Sequence, residues 1–151
     1  MLHEYYEFVV RLRDIRPTVW RRFLLRCDLT FEDLHQAIQD ACGWKDIQIY
    51  RFWSLEGNLL ARKDDFAFEG WPYPMGRDVP LAAYFEKVNI ASWPRNGCIY
   101  EYQHETWYCE VHAWHRETHK ERFDRRLKQG ARGFPPRSEE HTSELQSHLN
   151  L

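Results

Sequence analysis

Arginines at positions 11, 13, 16, 21, 22 and 26, with Trp20 among them, are the group in this chain best suited to chemistry. Guanidinium groups recognise phosphate, and an indole between them offers a stacking platform. The pattern therefore suits binding of single-stranded nucleic acid or phosphates by charge and stacking. The competing reading pairs these arginines with Glu7, Asp14, Glu32 and Asp33 along a solvated sheet edge, where charge discourages edge-to-edge aggregation. A formal net charge of −2 supplies no global basic field and favours that ordinary arrangement. Within the binding reading the candidate residues are Arg11, Arg13, Trp20, Arg21 and Arg22. Trp44 and Asp46, just after the first helix, and Trp107, opening a later strand, complete the set.

Other chemistry is poorly supported. His112, His115 and His119 form an HxxHxxxH run, but on a strand positions 112 and 115 face opposite ways, and no Glu follows in a zincin arrangement. His35 falls toward the polar side of a helix beside Gln36 and Gln39, with no nucleophile to serve. Asp64 and Asp65 read as a solvated turn. No GxSxG, phosphate-binding glycine loop or paired Cys/His motif is present. The four cysteines, at 27, 42, 98 and 109, make no CxxC and no framework. Free thiols in a reducing cytoplasm are expected, with no metal and no cofactor. The first residues, MLHEYYEF, lack a secretory signal pattern, and no apolar run reaches the length of a membrane span.

These residues need elements to position them. Tyr6, Phe8, Val10 and Leu12 alternate with polar neighbours, as do Val19, Phe23, Leu25 and Cys27, which predicts an antiparallel hairpin around Pro17. Thr30 to Trp44 then carries Phe31, Leu34, Ala37, Ile38, Ala41 and Cys42 at helical steps. Thr30 stands at the N-cap, Leu29 and Leu34 at the staple positions, and Gly43 at the C-cap. Ile47 to Leu55 and Leu59 to Arg62 read as strands, and Lys63 to Asp78 as a loop pinned by Phe66, Phe68, Trp71 and Tyr73. A short second helix is predicted over Val79 to Lys87, and a second hairpin over Cys98–Tyr102 and Trp107–His115. Glu117 to Lys128 reads as an exposed helix or a fraying end. Seven tryptophans point to an aromatic core. The fold class expected is α+β: antiparallel β-hairpins forming a sheet with one well-capped helix and a shorter second helix packed on it.

RLRDIRPTVWRRFLL followed by DLTFEDLHQAIQDACGWKDIQIYRF resembles the Ri-plasmid Orf-three-like family, also labelled as insertion-element passenger proteins of TnpR type. RDVPLAAYF, YEYQHETWYCEV and GARGFPP follow in the family's order. The resemblance implies a compact α+β domain of bacterial, plasmid or mobile-element origin with no established reaction. Tyr102-Gln103-His104-Glu105-Thr106-Trp107 stands where the family usually has Tyr-Asp-Phe-Gly-Asp-x-Trp, and Gln48 stands where it has His. Arg137 to Ser147, RSEEHTSELQS, matches codon by codon the translation of a common sequencing-library adapter. The expectation is one domain over 1–136, cut at Pro136, followed by an adapter-derived disordered tail over 137–151. The function expected is a cytoplasmic accessory module that binds nucleic acid or protein. The alternative is a metal-dependent or hydrolytic enzyme whose acidic motif is degraded or truncated.

Overall fold

Alternating apolar residues open the chain as two antiparallel strands, β1 (His3–Leu12) and β2 (Trp20–Arg26). The structure is a computed structural model that describes residues 1–14, 17–44, 49–63, 74–86, 97–102 and 107–131. Period-two alternation sends Tyr6, Phe8, Val10 and Leu12 to one face of the hairpin, level with Phe23 and Leu25, and all are buried. Leu12 N–H donates to the Val19 carbonyl at 3.0 Å and closes the hairpin.

Helix α1 (Phe31–Cys42) follows. Its first turn is held by a reciprocal cap: Asp33 N–H donates to Thr30 Oγ1, and Thr30 N–H donates to the Asp33 carboxylate at 2.9 Å. Gly43, at φ 72, ends the helix in the left-handed conformation that glycine adopts without steric cost. Phe31, Leu34, Ala37 and Ile38 turn toward the sheet and are buried. Phe31 meets Phe52 at 5.2 Å between ring centroids, so α1 reaches well beyond the first hairpin.

The remaining elements are β3 (Tyr50–Ser54), β4 (Leu59–Lys63), α2 (Ala82–Phe85), β5 (Gly97–Tyr102), β6 (Trp107–His119) and β7 (Arg125–Ala131). All strands join one antiparallel seven-stranded sheet in the order β4-β3-β5-β6-β1-β2-β7. The expected antiparallel sheet with one longer and one shorter helix is present, but the balance is corrected from α+β to mainly β. The hairpins do not stand as separate units, because β5 pairs with both β3 and β6, and β6 with both β5 and β1. The predicted second helix contracts to Ala82–Phe85.

The expectation of a helix or frayed end over Glu117–Lys128 is also overturned. β6 runs on to His119, and β7 returns along β2 as the edge strand. Alternation was hard to read there because charged side chains serve as partners: Lys128 donates to Glu7 at 2.6 Å and to Glu117 at 2.8 Å. The turn before β7 is anchored by Phe123, stacked on Tyr5 at 4.1 Å with Arg126 at 3.9 Å from its ring.

Three register shifts interrupt the described sheet, one at Phe52/Trp53 between β3 and β4 and two beside the first hairpin. Glu7 pairs with His115 and Phe8 with Ala113, so Trp114 is an inserted residue in β6. Arg22 pairs with Gln129 and Phe23 with Leu127, so Lys128 is inserted in β7. Both bulges lie at the level of the Phe8–Phe23 pair, one on each side of the first hairpin. The pinned loop at 64–73, Arg16, Asp46, Gln48, the 103–106 turn and everything from 132 onward, including the adapter-like stretch, lie outside the described residues.

Candidate functional site

The face of the sheet opposite α1 is defined by register. Tyr5, Glu7, Val9 and Arg11 of β1 lie there, and Val9 pairs with Arg22 and His112, Arg11 with Trp20 and Glu110. Among these residues a cleft of about 310 Å³ opens, lined by Val9, Arg11, Thr18, Trp20, Arg22 and Trp114. Val9 forms an apolar floor, two arginines supply charge, and two indoles form walls. The Arg22 guanidinium lies 5.6 Å from the Trp20 ring centroid and 3.8 Å from the Glu7 carboxylate. Glu7 is itself buried, held by Lys128, so the network beneath the cleft restrains Arg22.

The structure brings together three of the sequence-predicted residues, Arg11, Trp20 and Arg22. Arg13 stands just beyond β1, half-exposed and 4.0 Å from Glu110, while its N–H donates to the Tyr108 carbonyl at 2.9 Å. Arg21 lies on the opposite face, 3% exposed. Its Nε donates to the Ala41 carbonyl at 3.1 Å and its Nη1 to the Trp20 carbonyl at 2.8 Å. It thus places a cation at the C-terminal end of α1, and burial lowers its pKa from the usual arginine value. Trp44 and Trp107 are buried and stack with each other at 6.3 Å, with Tyr102 on Trp44 at 5.4 Å. They are core, away from the cleft. Asp46 is outside the described residues.

Trp114 is the cleft residue that sequence reasoning missed. It is 40% exposed; alternation from Ala113 puts it on the face away from α1, but only the pairing of β6 with β1 brings it near Arg11, Trp20 and Arg22. The β6 bulge corrects the histidine argument. His112 pairs with Val9 and His115 with Glu7, so the two share one face after all. Among the described residues no group of three His, Cys, Asp or Glu side chains is placed to hold a metal ion. Burial first, and then the Arg11 charge, pulls the His112 pKa down to about 4.

A second polar group lies inside the core. His35 and Gln39, expected on the outer side of α1, are 0% and 1% exposed. Gln39 Nε2 donates to the Tyr100 hydroxyl at 2.8 Å, and that hydroxyl lies 2.8 Å from His35 Nδ1. The His35 ring stacks on Tyr50 at 4.0 Å, and the Tyr50 hydroxyl donates to Glu32 at 2.7 Å. Tyrosines on β3 and β5 thus make burial of polar helix residues affordable.

A family model for plasmid pRiA4b ORF-3-like protein matches residues 4–149. The chain belongs to that family. The matched span runs past Pro136 into the adapter-like stretch. No curated protein is significantly similar to this member of the family in sequence. The crystal structure of a protein of unknown function from Methanosarcina mazei Go1 is similar, with a TM-score of 0.74 and 23% identity. The similarity covers 91% of this chain and 75% of that one, and at this identity it shows a shared fold. Among the described residues no helix is long and apolar enough to cross a membrane.

Proposed function

We propose that this ORF-3-like chain is a plasmid-associated accessory module whose sheet face, centred on the Trp20–Trp114 cleft, binds nucleic acid. The observation that carries the reading is the convergence of Arg11, Arg22, Trp20 and Trp114 on one cleft. Guanidinium groups suit phosphate oxygens, and indoles suit the faces of bases or sugars. Glu7 and Glu110 on the same face reduce the local positive potential, so the affinity is modest and strongly salt-dependent. The family's acidic hairpin motif, on which a hydrolytic reading would rest, is replaced here by Gln103-His104-Glu105-Thr106, which lie outside the described residues.

The test is fluorescence anisotropy with labelled single-stranded and duplex oligonucleotides across a salt series. Binding to at least one form, weakened in an Arg11→Ala/Arg22→Ala double variant, is the expected result. Loss of two phosphate contacts lowers the slope of log K against log salt by about 1.4 for a single strand and about 1.8 for a duplex. Binding unaffected by the double substitution would place any nucleic-acid site elsewhere and overturn the reading.

A further inference from the structure

Resting on that reading, we infer that the cleft takes a single strand, with Trp114 as a stacking residue that discriminates it from duplex. The first ground is the bulge. Insertion of Trp114 into β6 keeps Ala113 paired with Phe8 while returning His115 to the row of Glu7. An uninterrupted strand would set His115 on the core side. The extra residue thus delivers an indole to the cleft without disturbing the apolar face, a use of bulges found next to functional sites. Trp114 stays 40% exposed although buried aromatic partners abound in this chain.

The second ground is the spacing of the walls. Trp20 and Trp114 stand on β2 and β6, the two strands flanking β1. Trp20 is level with Arg11 and Trp114 lies beside the Glu7/Phe8 step, so they stand diagonally, about 10 Å apart across the sheet and about 10–13 Å along it. Arg11 pairs with Trp20, and Arg22 stands two residues along β2 from it, level with Val9 and toward the Trp114 end of the cleft. Aromatic platforms with cations between them fit splayed bases joined by a phosphate backbone. A duplex keeps its base faces stacked inside and offers none to an indole.

The third ground is what the molecule presents to a duplex. α1 carries Glu32, Asp33 and Asp40 on its outward side, which would repel phosphate rather than enter a major groove. The other described α-helix, α2, spans only Ala82–Phe85 and buries Phe85.

The experiment measures affinity of the whole chain for a ~10-nucleotide single strand, the matching duplex and inorganic polyphosphate, with tryptophan fluorescence as a second readout. The single strand is expected to bind about tenfold or more tightly than the duplex and to quench tryptophan emission. Trp114→Ala lowers single-strand affinity about tenfold, leaves polyphosphate binding unchanged and keeps the native circular dichroism, while Trp114→Phe restores most of the affinity. Equal affinity for single strand and duplex, or single-strand binding indifferent to Trp114→Ala, overturns this inference and leaves the broader nucleic-acid reading standing. Failure of all three polyanions to bind overturns both.

Discussion

Two buried residues show how single side chains in this protein combine burial with charge. Arg21 gives its hydrogens to the carbonyls of Ala41 and Trp20. Replacing it with leucine leaves those carbonyls without a charged donor, and the expected loss is about 1.5–3 kcal/mol in urea unfolding at neutral pH. His112 makes the opposite arrangement, since the folded protein holds its pKa near 4, below the usual 6.5. The unfolded chain therefore binds a proton in that interval which the folded chain refuses. Stability from this site is complete above pH 6.5 and falls as pH drops toward 4, by up to about 3 kcal/mol. Denaturation midpoints between pH 4 and 7 should show this slope, and His112→Gln should flatten it. A slope that survives the substitution would assign the effect to other groups.

At the scale of elements, the bulges and one close packing contact decide what the sheet can carry. Deleting Trp114 removes the inserted residue and leaves Phe8–Ala113 and Glu7–His115 as consecutive pairs, so both halves of β6 keep their register and their faces. Glu117 keeps Lys128 and Ala113 keeps the core, so a folded sheet is expected, at a cost of no more than about 1–3 kcal/mol. Trp114→Ala keeps the register and should cost under about 1 kcal/mol. Comparing the two by chemical denaturation separates the backbone role from the side chain. Gly76 is the second such point, because a Cβ there would collide with the Tyr50 hydroxyl that donates to Glu32. Gly76→Ala should destabilise by about 1–3 kcal/mol, and Tyr50→Phe should relieve part of that by removing the clashing oxygen.

The molecule as a whole is one sheet with α1 and α2 on a single side, so its core thiols report on global opening. Cys27, Cys42, Cys98 and Cys109 are all free and buried. Burial pushes the Cys27 thiol up to about 11 and raises Cys42, Cys98 and Cys109 as well. Thiolate is therefore scarce at neutral pH, and a thiol reagent should modify the native protein slowly. All four should react together once denaturant crosses the unfolding midpoint. Fast reaction of one thiol under native conditions would reveal a local opening instead.

Local pattern was enough for the parts of the chain whose structure is set by neighbours in sequence. The first hairpin, its faces and α1 with both ends were legible, because alternation, helical spacing, Thr30 and Gly43 act over a few residues. The same alternation already put Arg21 on the side of Phe23, a signal against its use as a surface ligand. What pattern could not supply was the order of strands in the expected sheet, since pairing of β5 with β3 and β6 with β1 depends on contacts far apart in sequence. β7 was missed because its charged side chains are satisfied by Glu7 and Glu117 on distant strands. His35 and Gln39 read as polar until the Tyr100 hydroxyl met them in the core. The cleft belongs to this second class: Arg11, Trp20 and Arg22 were visible as a basic aromatic run, but Trp114 is brought to them by the pairing of β6 with β1, and register is a property of the paired sheet rather than of either strand.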